Sequence, residues 1–257
     1  MNDQEILIQV SSLKKTFPRE AGNHVEALKG ITFSCAKGEI YGLLGPNGAG
    51  KTTALRILAT LLRPSSGKAV VNGFDVMKSP VSVRRSLGFL SGTTGLYPRL
   101  TARETLEFFA RLFGMKGKEL TRRVQEVIHG LEMESFSHVP CEKLSTGMKQ
   151  RVSIGRTLIH DPDVLILDEP TTGLDVLAAA GTRDFIQSAK ARGKCVLMST
   201  HIMSEAETLC DRLGILHEGQ LLSEGSVEEL KEKTGEKNLE DAFLRCIRRQ
   251  AGKGIPG

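Results

Sequence analysis

Three observations predict an α/β fold, a mainly parallel sheet flanked by helices. From residue 164 onward, short apolar runs alternate with helix-period segments, the pattern of a sheet buried on both faces. Near the start, the glycine-rich turn Gly-Pro-Asn-Gly-Ala-Gly-Lys-Thr-Thr at residues 45–53 joins an apolar strand to an apolar-periodic helix. The chain has 257 residues, 40% hydrophobic and 25% charged, enough to bury a full core as one large domain or two lobes.

Taken in order, residues 6–10 alternate as a short strand and residues 27–34 read as another. Residues 39–44, Glu-Ile-Tyr-Gly-Leu-Leu, form a buried strand entering the glycine-rich turn, and residues 53–59 form the helix leaving it. The turn satisfies the pattern G-x-x-x-x-G-K-[ST] in full. A triphosphate crowds several negative charges together, and bare backbone amides cradle it best. Gly45, Gly48 and Gly50 admit that close approach, while Pro46, Asn47 and Ala49 complete the loop. Lys51 supplies a point charge for the β and γ phosphates, and Thr52 a hydroxyl for magnesium. Beside Thr53, the following helix aims its positive dipole end at the anion. The site is one for a nucleotide.

Residues 68–72 read as a strand closing at the Asn72-Gly73 turn, and residues 83–90 lead into a loop rich in Gly, Ser and Thr. Composition shifts at Thr101. Thr101-Ala-Arg-Glu104 is a capping-box pattern, followed at helical spacing by Leu106, Phe109, Ala110 and Phe113. A second helix carries Leu120, Val124, Val127, Ile128 and Leu131 on one face. These stripes read as the core of a helical lobe. Strands follow at 164–168, 194–200, 212–217 and 220–224, with helices at 176–192, 202–210, 226–233 and 239–249. Residues 252–257 read as a disordered tail.

Three further groups bear chemistry. Val164–Asp168 is an apolar strand ending in Asp168-Glu169. Carboxylates at a strand's C-terminal edge stand where α/β sheets place ligands, so Asp168 is placed to reach magnesium and Glu169 to act as general base on the attacking water. His201 follows another apolar strand, at residues 195–199, positioned to touch the γ phosphate or orient Glu169. Ser145 and Gly147 open a helix running to about Leu158, and a hydroxyl with free amides at a helix N-terminus is an anion site.

The net charge of +5 is mild, and acids and bases are interspersed, as on a solvated surface with some affinity for an anionic membrane face. With no Trp and two Tyr, no basic patch interleaved with aromatics points to nucleic acid. Cys35, Cys141, Cys195, Cys210 and Cys246 form no C-x-x-C pair, so no disulfide partner is expected. The first residues lack a signal-peptide pattern, and no apolar stretch approaches the roughly 20 residues that span a bilayer.

In this order the motifs resemble those of the ATP-binding subunits of ABC (ATP-binding cassette) transporters, across nearly the whole chain. Residues 45–52 match the Walker A loop and 164–169 Walker B. Residues 144–150 resemble the family signature, with Thr146 in place of a glycine and Met148-Lys149 before Gln150. Residues 173–175 resemble the D-loop, His201 the switch histidine, and Phe17 the aromatic that stacks on adenine, although a core phenylalanine reads as well there. One departure is plain: Gly92 stands about where the family carries a loop glutamine that contacts magnesium, so that role does not transfer.

The resemblance implies a P-loop NTPase core with an antiparallel β portion near the N-terminus and an inserted helical signature subdomain. It implies a single domain over 5–250, with a core lobe at about 5–99 and 161–225, a helical lobe at about 100–160 and C-terminal helices at about 226–250. It also implies ATP and Mg2+ as ligands, ATP hydrolysis, a second ATP-binding subunit (a homodimer) and a separate membrane permease that holds the chain at the cytoplasmic face of the membrane. Two such chains close head to tail, with Ser145 and Gly147 of one on the ATP of the other. Within the family the similarity is greatest to export cassettes of the sodium-efflux type; drug, polysaccharide or lipid export and a soluble ATP-dependent switch on nucleic acid or ribosomes are the alternatives.

Overall fold

The computed structural model describes residues 5–18, 23–91 and 95–252. Position Gly92 and residues 253–257 of the expected tail lie outside the described residues. Gly252, expected in that tail, and Ala251, past the expected domain end at 250, instead end the last helix, which runs on from Leu239.

Two sheets share one core. The first opens with β1 (Ile6–Pro18) and β2 (His24–Ala36), an antiparallel pair much longer than the runs at 6–10 and 27–34 suggest. The extension past Val10 is irregular, with register shifts around Leu13 and a left-handed Ser12, which hides its period from the sequence. β4 (Ser66–Val71) and the short β5 (Phe74–Asp75) complete the order β2-β1-β4-β5, antiparallel throughout.

The second sheet has the order β10-β9-β3-β8-β7-β6. Its members are β3 (Ile40–Leu44), β6 (Leu87–Ser91), β7 (Val164–Asp168), β8 (Cys195–Thr200), β9 (Arg212–His217) and β10 (Gln220–Gly225). All neighbours are parallel except β10, which pairs antiparallel to β9 at the edge. Val164, Leu165, Ile166 and Leu167 have no exposed surface at all. Burial of each such side chain stabilises by roughly 1.5–3 kcal/mol, and burial on both faces is why these strands read as continuous apolar runs rather than alternating ones.

Helix α1 (Lys51–Leu58) follows β3, and α2 (Pro80–Ser86) precedes β6, so the run at 83–90 begins as a helix before turning extended. Pro80 at the first helical position favours that start. A separate apolar cluster joins α3 (Ala102–Leu112), α4 (Gly117–Gly130) and α5 (Thr146–Leu158) through Leu106, Val124, Ile128 and Val152. Thr101 caps α3 in the reciprocal arrangement that its sequence predicts, with Thr101 accepting from Glu104 N and Glu104 accepting from Thr101 N. α6 (Val176–Ala191) and α7 (Met203–Leu209) alternate with β7, β8 and β9. α8 (Val227–Thr234) and α9 (Leu239–Gly252) pack near β9 and β10. Among the described residues no helix is long and apolar enough to cross a membrane.

Leu106 is fully buried at the centre of the α3–α4–α5 cluster. Leu106→Ala is expected to cost about 3 kcal/mol and lower Tm by about 6–12 °C, measured by thermal and denaturant unfolding.

Candidate functional site

The C-terminal ends of β3, β7 and β8 lie side by side, and the residues that follow them converge. The turn after β3 is tied from outside: Gly45 N donates to Thr200 O at 3.3 Å, and Gly219 N donates to Ala49 O at 2.9 Å. Two of its positions require glycine. A Cβ at Gly45 would lie 2.2 Å from Leu216 O, and one at Gly50, where φ is 108°, would lie 2.5 Å from Ala27 O. Pro46, Asn47 and Gly48 form the exposed rim, Ala49 is buried beneath it, and Thr52 and Thr53 sit half-buried in the first turn of α1.

Lys51 is buried beneath the turn, donating to Gly45 O at 2.7 Å and Pro46 O at 3.2 Å. Its Nζ also lies 3.5 Å from Glu169 Oε1. Burial pulls the Lys51 pKa below its ordinary value, and the charges of Glu169 and Asp168 recover only part of that. The ammonium is thus short of solvent and backed by acids on one side, ready to receive an anion.

Asp168 ends β7 nearly buried, and its Oδ1 accepts from Thr52 Oγ1 at 3.0 Å and Ser199 Oγ at 2.7 Å. Ser199 is fully buried opposite Asp168 in the β7–β8 register, and its hydroxyl also accepts from Glu169 N at 3.0 Å. Sequence reasoning missed Ser199. Its signal was a hydroxyl near the end of an apolar strand, but its pairing with Asp168 depends on a register between strands about 30 residues apart.

Glu169 leaves the strand with φ 49°, a left-handed conformation costing a non-glycine residue roughly 1–3 kcal/mol. That turn directs its carboxylate toward His201, whose Nδ1 lies 3.1 Å from Glu169 Oε1. Burial pushes the Glu169 carboxyl up, but the His201 hydrogen bond and the Lys51 charge outweigh it, and the pKa falls below the ordinary 4.5. An ionised carboxylate near Lys51 and braced by an imidazole can accept a proton from water.

Thr52 and Asp168 bring a hydroxyl and a carboxylate together, which are hard oxygen donors. Among the described residues no cluster of three or more His, Cys, Asp or Glu side chains is placed to hold a metal. The hydroxyl–carboxylate pair fits magnesium, which takes one or two protein ligands and otherwise water and substrate phosphate.

The remaining predicted residues stand apart. Ser145 caps α5, its Oγ accepting from Met148 N at 3.2 Å, so its own proton stays available to a ligand. With Gly147 it lines a cleft of about 820 Å³ between α4, α5 and α6, to which residues 45–53, Asp168, Glu169 and His201 contribute no wall. Phe17 pairs with Val25 across the β1–β2 hairpin. Its ring is half-buried, with Lys15 Nζ 4.9 Å from the centroid, and lies outside the buried apolar clusters.

Residues 28–172 match the family model described as ABC transporter. The chain is 42% identical over 221 residues to the ABC transporter ATP-binding protein NatA of Bacillus subtilis, covering 86% of this chain and 90% of that one. It is also 42% identical over 205 residues to the Nod factor export ATP-binding protein I of Burkholderia orbicola, covering 80% and 67%. A dimeric post-hydrolysis structure of an ATP-binding cassette bound to ADP and Pi superposes with a TM-score of 0.77 at 27% identity, covering 86% of this chain and 98% of that one.

Ser199→Ala leaves the Glu169 N–H without its acceptor and Asp168 with one donor fewer. A loss of about 1–3 kcal/mol in urea unfolding is expected. The lowered Glu169 pKa implies a stabilisation present above the ordinary 4.5 and lost as pH falls through the lower folded value. Wild type should therefore lose more stability than Glu169→Gln as pH drops below about 4.5, read from urea titrations at each pH.

Proposed function

The chain belongs to the ABC transporter family, as an ATP-binding, ATP-hydrolysing subunit of the export type, and on that premise we propose that two copies close head to tail around ATP and drive a separate membrane permease. One observation carries this reading. Lys51, Thr52, Asp168, Glu169 and His201 gather at one sheet edge, while Ser145 and Gly147 open a helix elsewhere, with the Ser145 oxygen accepting from Met148 N and a helix N-terminus facing a cleft that the first group does not line. Each chain thus carries two incomplete halves of an anion site, and a second copy supplies the missing half. The dimeric form of the related cassette supports that arrangement.

In this reading the amides of residues 45–53 and Lys51 hold the phosphates, and Phe17 stacks on the base. Ser145 and the α5 N-terminus contact the γ phosphate held by the other copy. Thr52 and Asp168 would hold magnesium, which would supply positive charge to the phosphate oxygens. Glu169 takes a proton from the attacking water, and His201 orients Glu169 through Nδ1. Cleavage removes the bridging γ-phosphate contacts and the pair reopens, a population shift passed on to the permease. The permease in turn holds the subunit at the cytoplasmic face of the membrane. The resemblance to sodium-efflux cassettes, supported by the likeness to NatA, makes Na+ the proposed cargo.

Glu169→Gln should lower kcat by about 10²–10⁴-fold and, with saturating Mg-ATP, shift the protein to a dimer in size-exclusion chromatography. A monomer under those conditions, with nucleotide occupancy confirmed, would overturn the head-to-tail reading. With its permease in vesicles, ATP-dependent movement of 22Na+ is expected; movement of a drug or lipid instead would replace the cargo alone. Copurification with RNase-sensitive complexes rather than a multi-span membrane protein would favour the soluble switch.

A further inference from the structure

The left-handed turn at Glu169 needs outside support. Ser199 Oγ accepts from Glu169 N, and Thr172 N donates to Glu169 O at 3.2 Å. The next residue, Pro170, has no N–H to contribute, and it is buried. Its carbonyl is served from a different element: Gln150 Nε2 donates to Pro170 O at 2.8 Å. Gln150 lies on α5, five residues after Ser145, so the helix that opens on Ser145 is hooked to the peptide beside Glu169 about one and a half turns further along. Thr171, which follows, is buried, and among the described residues its hydroxyl has no hydrogen-bond partner, so the Gln150 bond supplies a side-chain anchor to this stretch from α5.

We propose that Gln150 is a positioning residue that couples the two nucleotide sites of the dimer. A helix is a stiff rod, so a shift of α5 when Ser145 engages the phosphate held by the other copy moves Gln150 as well. The Pro170 carbonyl follows, and with it the backbone that aims Glu169 at the chain's own nucleotide. Occupancy of one site thereby sets the base in the other. Gln150 spends its amide on the Pro170 carbonyl, so in this proposal it acts through Glu169. This inference rests on the proposed roles of Glu169 and Ser145.

Three variants of the full-length protein separate the possibilities. Gln150→Met keeps length and removes the donor; Gln150→Glu sets an acceptor against the carbonyl; Gln150→Lys restores a donor. Gln150→Met is expected to lower kcat about fivefold to tenfold, to leave KM for Mg-ATP within about twofold because the phosphate loop is untouched, and to bring the Hill coefficient for ATP toward 1. Gln150→Glu should lower kcat at least as far, and Gln150→Lys should recover most of it. In the Glu169→Gln background, Gln150→Met should cause no further loss, the non-additivity of residues that act as a unit.

Equal losses in both backgrounds would overturn the proposal. So would a raised KM at unchanged kcat, or a fall in Tm that accounts for the lost activity and is not repaired by Gln150→Lys. Hydrolysis that survives Glu169→Gln alone would instead sink the base assignment. If that variant is inactive while Gln150→Met keeps normal kcat and cooperativity, only the coupling role fails.

Discussion

The hydroxyl of Ser199 sits where β7 and β8 run out, accepting from the Glu169 amide and donating to the Asp168 carboxylate. A nearly buried carboxylate is costly unless its oxygens are hydrogen-bonded, and an amide at a strand's end has lost its ladder partner. One side chain answers both needs. In doing so it fixes Asp168 beside Thr52 and lets the chain turn left-handed at Glu169, toward His201. The geometry around the phosphate loop follows from that seam.

The same economy governs the charges. Burial opposes an ammonium at Lys51, and for Lys51 burial wins; for Glu169 the hydrogen bond and nearby cation win. The difference lies in exposure and partners. Lys51 is 4% exposed and spends its donors on carbonyls of its own loop, whereas Glu169 is 25% exposed and has His201 within hydrogen-bond distance. An ammonium so placed gains more from an arriving polyanion than one already in water, because it carries less hydration to lose.

The separation of the α5 N-terminus from the strand-end groups has a topological origin. A parallel sheet collects strand ends, and the groups following them, along one edge, so Lys51, Asp168 and His201 meet although they are far apart in sequence. Helix α5 opens on another face because it packs into the α3–α4 cluster through Leu106, Val124 and Val152. Gln150 Nε2 joins α5 to the peptide beside Glu169.

Much of this was legible beforehand. The buried strands β3, β7, β8 and β9 announced themselves as apolar runs, α3 by its cap, and the phosphate loop by a spacing that few other structures need. The obscure parts were those decided by non-local contact. The bulged extension of β1 carries no clean period, α2 is too short to show one, and nothing in the local pattern at Phe17 tells that its ring stays half-buried. The amino-acid sequence by itself determined the chemistry, because a lysine, a hydroxyl and two acids at those spacings commit the chain to a nucleotide. The tertiary structure alone decided which groups touch. The Ser199–Asp168 register, the left-handed Glu169 and the Gln150–Pro170 hydrogen bond each join segments or conformations that no local propensity encodes.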